Sequence, residues 1–202
     1  MNDIPDFSAL RAHVGQVSIM AERKVLFHLD KHCRAFIELS PFLVIATADT
    51  EGKLDASPRG DPPGFVRVLD DTTLFMPDRP GNNRVDTMGN ILGAPGVGII
   101  FFVPGVDETL RVNGKASLVT DSALLAGSEV HGRLPKTGVV VRIEEAFFHC
   151  AKALKRSRLW DKDAQIERST FPTLGRILAE QQSADVAEAE TRVETGYRDR
   201  MY

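Results

Sequence analysis

Phe42-Leu43-Val44-Ile45-Ala46-Thr47, the turn Thr50-Glu51-Gly52-Lys53, and the return from Leu54 to Arg59 decide the class of fold. The first run is short, apolar and rich in strand formers. Gly52 supplies the turn, so the pair reads as a β-hairpin. Asp61-Pro62-Pro63-Gly64 then makes a rigid loop. Phe65 to Leu69 is a further strand, Asp70-Asp71 turns the chain, and Thr72 to Met76 is the next. A meander of strands with short turns favours antiparallel pairing. No helix alternates with these first strands, which excludes a doubly wound parallel sheet.

Arg79-Pro80-Gly81-Asn82-Asn83 interrupts the meander, and an asparagine there is placed to cap a helix over Arg84 to Ile91. Gly98-Ile99-Ile100-Phe101-Phe102-Val103 is apolar on both faces and reads as a central strand. Thr109 to Thr120 is a long strand, and Ser122 to His131 a helix capped by Ser122 or Asp121. Gly138 to Cys150 is the last strand. Upstream, Val17, Met20, Ala21, Val25, Leu29, Cys33, Phe36 and Ile37 recur at helical spacing, which predicts one amphipathic helix over 17–37. Ser40-Pro41 ends it. Downstream, the alanine- and glutamate-rich stretch Gln181 to Thr195 reads as a surface helix or a frayed tail. Many short strands with inserted helices predict a sandwich or barrel.

Composition sets bounds on this reading. A chain of 202 residues suits one domain. At 43% hydrophobic it can bury a sizeable core without disulfides or metal. The formal net charge of −3 gives no general basicity for nucleic acid. The acidic surplus falls in the last forty or so residues, and 41–160 is balanced. Cys33 and Cys150 fit no zinc spacing and read as two free, buried thiols of a reducing compartment. The start MNDIPDFSAL has neither a basic cluster nor an apolar run, which argues against a signal peptide. No stretch approaches the ~20 apolar residues of a membrane span. A cytoplasmic location is the expectation.

Chemistry concentrates where arginines stand beside glycine, proline or asparagine: Arg59, Arg79, Arg84 and Arg111. Lys152, Lys155, Arg156 and Arg158 follow the last strand. Taken singly, each is a solvated or surface-paired side chain. Asn82-Asn83-Arg84 differs, because a guanidinium fork and a helix N-terminus converge there with Arg79 nearby. That combination favours an anion site. His149-Cys150 has no second pair at ligand spacing, and His28 with His32 reads as a polar helix face, so no metal site is expected. Ser57 lies in no nucleophile elbow, and neither a P-loop nor a G-x-G-x-x-G occurs. Trp160, the only tryptophan, is read as a packing residue that is also able to cover a flat ring.

In this order and spacing, residues 42–121 resemble the pyridoxamine 5'-phosphate oxidase-like, FMN-binding split-barrel superfamily. The motifs are Phe42 to Asp49 with Glu51-Gly52, then Ala56-Ser57-Pro58-Arg59-Gly60 and Leu74-Phe75-Met76-Pro77-Asp78. Arg79-Pro80-Gly81-Asn82-Asn83-Arg84, Ala94-Pro95-Gly96-Val97 and Thr109 to Ala116 complete them. Glu145 to Ser157 looks like one branch of that superfamily, of unassigned function.

The resemblance implies a mainly β fold with helices: an antiparallel six-stranded split β-barrel, an N-terminal helix and a C-terminal helical extension. It implies a domain over 1–160, extended by 161–202, and a homodimer with FMN in the cleft between subunits. Arg84, Arg79 and Asn83 would hold the phosphate. Ser57, Arg59 and Gly60 would run along the ribityl chain and ring edge, and the Met76-Pro77 backbone would approach the ring. Arg111 would come from the long strand, and Lys152 and Trp160 from the other subunit. The implied function is a flavin-dependent oxidoreductase acting on a small molecule, with no catalytic residue assigned. The alternatives are a flavin-binding or flavin-sensing protein without turnover, and a deazaflavin or haem binder using the same cleft. The substrate arginine and histidine pattern of pyridoxamine phosphate oxidase itself is not matched, which leaves vitamin B6 oxidation unsupported.

Overall fold

The computed structural model describes residues 3–202. Met1 and Asn2, which begin the stretch read above against a leader, lie outside the described residues. The strands are β1 (Phe42–Ala48), β2 (Leu54–Gly60), β3 (Arg67–Asp70), β4 (Thr73–Pro77), β5 (Gly96–Phe102), β6 (Thr109–Val119) and β7 (Gly138–His149). They form one antiparallel sheet in the order β2-β1-β5-β6-β7-β4-β3. The expectation of six strands is therefore corrected to seven. The sheet is open, since β2 and β3 are its two edges and do not pair with each other. The short β3 is a strand in its own right because Arg67 and Val68 pair with Phe75 and Leu74.

Register assigns the two faces, because residues directly opposite in an antiparallel pair project to the same side. One row runs Arg59–Leu43–Phe101–Leu110–Phe148, and the next in phase runs Ser57–Ile45–Ile99–Val112–Ala146. Leu43, Ile45, Phe101, Leu110, Val112 and Ala146 are buried, so this is the inner face. The alternate row, Pro58–Val44–Ile100–Arg111–Phe147, lies on the outer face.

Helix α3 (Lys31–Leu39) closes the core with Cys33, Phe36 and Ile37. The single helix predicted over 17–37 is not formed. Instead α1 (Phe7–Val14) and α2 (Ile19–Arg23) precede α3, and Leu26 exchanges backbone hydrogen bonds with Ala146 on β7. Asp30 then restarts the helix by accepting from the His32 and Cys33 amides. Backbone pairing to the stretch of β7 that β4 leaves uncovered has overridden an apolar period that continues through the break. Cys33 is buried, and burial beside Asp30 pushes its thiol up to about 12. Cys150 is exposed, against the expectation of a second buried thiol.

Helix α4 (Asp86–Gly93) starts later than predicted and has no asparagine cap. The Asn82 side chain accepts instead from the Arg84 amide, and Asn83 and Val85 adopt left-handed backbone conformations (φ 58° and 54°). Asp121 caps α5 (Ser122–Ala126), which stops short of His131. Beyond α6 (Lys152–Ser157) the extension holds α7 (Leu174–Gln182) and α8 (Val186–Asp199), so residues 181–195 are largely helical. No helix among the described residues is long and apolar enough to cross a membrane.

The register of β6 against β7 shifts between Asn113 and Gly114. A Cβ at Gly114 would stand 2.1 Å from the Arg142 carbonyl oxygen. Gly114→Ala is thus expected to cost about 1–3 kcal/mol by overpacking backbone against backbone, read as a lowered denaturant midpoint.

Candidate functional site

The edge strand β2 points Asp55, Ser57 and Arg59 to the inner side, where they are half-buried rather than packed in the core. Two side-chain bonds fix α4 across this end of the sheet. Thr87 donates to Asp55 at 2.7 Å and Asn90 donates to Thr47 at 3.0 Å. The chain leaving β4 at Asp78 and Arg79 passes opposite. Between them lies a cavity of about 770 Å³, a size suited to a cofactor-sized ligand.

The cavity gathers Ser57, Arg59, Arg79, Asn83 and Arg84, five of the residues singled out in the sequence. Their states differ. Arg79 is anchored by Nε to Asp61 at 2.5 Å and by Nη1 to the Ser128 carbonyl at 2.7 Å. Arg84 is exposed and pairs with Asp86 at 2.7 Å, which raises its already high pKa. Arg59 makes no ion pair among the described residues. Its charge nonetheless reaches Asp78, whose carboxyl burial drives upward and Arg59 and Arg79 partly restore. A half-buried guanidinium without a carboxylate partner, on the wall of a cavity, is a standing acceptor-seeking group.

The remaining expected residues lie elsewhere in the single chain. Gly60 ends β2 opposite Phe42, and the Met76 side chain is in the core. Pro77 pairs with Gly138, one residue before cavity-lining Asp78. Arg111 sits on the outer face over the Phe147 ring, 5.3 Å from its centroid, and near Glu145 at 3.8 Å. Lys152 opens α6, and Trp160 donates to the Val106 carbonyl at 2.9 Å. His149 flanks the same Phe147 ring, and burial with Lys24 and Arg111 nearby lowers its pKa. The described residues contain no cluster of three or more metal-ligating side chains.

Arg133, Lys136, Arg200 and Tyr202 complete the far wall, and sequence reasoning missed all four. Gly132-Arg133-Leu134-Pro135-Lys136 carried the same signal used for the other arginines, a cation beside glycine and proline. Arg200 and Tyr202 carried none.

A family model described as pyridoxamine 5'-phosphate oxidase matches residues 29–150, from the approach to α3 through the end of the sheet. The chain belongs to the pyridoxamine 5'-phosphate oxidase family. Three solved structures are similar over part of this chain. HupZ of Group A Streptococcus is 19% identical, with a TM-score of 0.50 over 59% of this chain and 93% of that one. General Stress Protein 26 from Bacillus anthracis is 15% identical, with a TM-score of 0.43 over 56% and 88%. HutZ, the heme storage protein from Vibrio cholerae, is 16% identical, with a TM-score of 0.42 over 60% and 93%. No curated protein matches. The family match covers the sheet and α4, and hence the near wall of the cavity with Arg59, Arg79 and Arg84; α1, α2 and the helices after β7 lie outside it.

Proposed function

We propose that this member of the pyridoxamine 5'-phosphate oxidase family binds FMN in the cavity beside β2 and works as a flavin-dependent oxidoreductase on a small molecule. The observation that carries the reading is the convergence of Arg59, Arg79, Asn83 and Arg84 with the start of α4 on one cavity. The residues fit the group. A phosphate dianion needs charge-assisted donors, which the guanidinium of Arg59 and the backbone N–H groups at the start of α4 supply. Bound FMN supplies the hydride or electron chemistry, and the protein supplies position and electrostatics. Arg79, held rigid by Asp61 and Ser128, presents a charge that costs no reorganisation. Ser57 offers a hydroxyl along the same wall. In this reading residues 1–160 are the binding domain and 161–202 extend it.

The second copy of a homodimer has a natural seat on the outer sheet face. Phe42, Val44, Ala46, Ile100 and Phe102 share that face, and the Phe42 and Phe102 rings stand 6.0 Å apart. Phe42 is 39% exposed, and with these neighbours it makes a continuous apolar patch that a partner subunit would cover. Arg111 lies on this face, and the pairing would let Lys152 and Trp160 reach the partner's flavin.

The absorbance spectrum of the isolated protein, followed by an FMN titration, tests the reading. Flavin bands or saturable FMN uptake support it. A Soret band or uptake of a deazaflavin in place of FMN would overturn it in favour of another ligand. Bleaching by a nicotinamide donor supports turnover, and a spectrum inert to every donor supports flavin binding alone. Arg84→Ala is expected to weaken FMN severalfold in the same titration. The effect is smaller than its sequence position promised, because an exposed, paired arginine forfeits less than a buried one.

A further inference from the structure

Helices α7 and α8 form a tight hairpin. Gly175 lies where a Cβ would come within 2.6 Å of the Glu190 Cα, and Thr173 donates to Glu190 at 2.7 Å. Helix α8 buries no residue of its own, and the chain beyond it turns back to the cavity. There Tyr202 is half-buried while Tyr197 and Met201 are exposed. The Tyr202 hydroxyl donates to Asp61 Oδ1 at 3.2 Å. Its ring stacks on the Arg79 guanidinium at 5.8 Å and meets the His131 ring edge-on at 5.3 Å. Its backbone oxygen accepts from Arg133 Nη1.

These contacts fall on groups of the cavity wall. Arg79, Arg133 and Tyr202 all line it, and Asp61 follows β2 two residues after Arg59. Asp61 itself has a side chain only 1% exposed, and its second oxygen holds Arg79. We propose that Tyr202 is a latch, seated on the Asp61–Arg79 pair, that closes the cavity over a bound phosphate ester and leaves its seat for ligand exchange.

The inference rests on the FMN reading for its ligand and on the Tyr202 contacts for its mechanism. The seat suits reversible opening. One hydroxyl, one ring face and one backbone oxygen secure a segment, 199–202, that is otherwise exposed, so release is a local event. Asp61 and Ser128 keep Arg79 in place when the tyrosine departs, so opening does not dismantle the anion wall. Burial and the Asp61 charge both hold the phenol protonated beyond its ordinary range, so the donor persists at neutral and mildly alkaline pH.

Release of FMN from the loaded protein, followed as recovery of free-flavin fluorescence after dilution, tests the latch. Tyr202→Ala is expected to speed release about tenfold, on the scale of one hydrogen bond to a charged group. Tyr202→Phe, which keeps the ring and loses the donor, falls between. Equal release from all three proteins overturns the latch. A second readout needs no flavin. In the ligand-free wild type the bond after Arg200 is expected to resist trypsin, and in Tyr202→Ala to be cut, read by mass as a new C-terminus at Arg200. Equal cleavage overturns the seat. A wild type that takes up no FMN yet shows the trypsin difference overturns the cofactor reading and leaves the seat standing.

Discussion

With FMN as the proposed ligand, Arg59→Ala is expected to raise its dissociation constant by about a hundredfold, the largest effect of any single cavity residue. Arg84 is exposed and already paired with Asp86, so its loss frees a carboxylate beside the ligand but removes a solvent-screened contact. Arg79 spends two of its donors on Asp61 and Ser128, so Arg79→Ala would strip a buried carboxylate of its partner and confuse folding with binding. Arg59 alone is half-buried, lines the cavity and carries no ion pair among the described residues. A charge-assisted bond there is worth about 1.5–3 kcal/mol, which at its upper end is two decades in affinity. Because no hydrogen bond or ion pair among the described residues is broken and only the charge that Arg59 lends to Asp78 is lost, the melting temperature of the ligand-free variant should fall only slightly. Isothermal titration with FMN reads the affinity. An unchanged constant would move the phosphate to another part of the cavity and leave Arg59 to Asp78. Arg59→Lys should recover part of the loss, since it keeps the charge and not the fork.

How much of this was legible in the sequence depends on how local the signal is. The hairpin of β1 and β2 was readable because alternation, a turn glycine and strand formers agree over one short stretch. The near wall was readable for the same reason. Ser57 and Arg59 occupy one strand, and Arg79 to Arg84 one connecting segment, so the sequence already holds them in groups. The far wall joins Asp61 to Tyr202 across most of the chain, and no local pattern encodes such a meeting. The N-terminal helix failed differently. Its apolar period from Val17 to Ile37 is real in the α3 half, where Cys33, Phe36 and Ile37 are buried. It is idle in the other half, where Met20 is 83% exposed. The break carried its own sign, Asp30 two and three residues before His32 and Cys33, the spacing of a side-chain cap. The asparagine cap predicted for α4 erred because two asparagines in a glycine-led turn have competing uses. Asn82 bonds the Arg84 amide and Asn83 takes the left-handed backbone, which leaves the helix start without a side-chain cap and its amides free. An uncapped helix start on a cavity leaves amide donors open to the anionic ligand proposed above.

If the proposed homodimer forms through the outer face, Ile100→Asp is expected to convert it to a monomer. Ile100 stands in the middle of the outer row, between Val44 on β1 and Arg111 on β6, with Phe102 and Gly98 on either side along its own strand. It is absent from the hydrophobic core, so the substitution spares inner-face packing, and the isolated subunit should keep its fold. In a dimer joined through this face the carboxylate would be buried against its own symmetry mate. Burying an unpaired charge costs several kcal/mol, and a twofold interface imposes that cost twice. The dimer dissociation constant should therefore rise by more than about a hundredfold. Light scattering at micromolar concentration reads the outcome against a dimeric wild type. A dimeric variant would place the interface on another face, and a monomeric wild type would remove the homodimer altogether. The same variant then decides which residues complete the site. If Arg111, Lys152 and Trp160 act on the partner's flavin, FMN affinity falls together with the dimer, although every residue of the cavity is intact. If the monomer keeps its FMN, the cavity of one chain suffices, and the cluster of Arg111, Phe147 and His149 on the outer face serves packing alone.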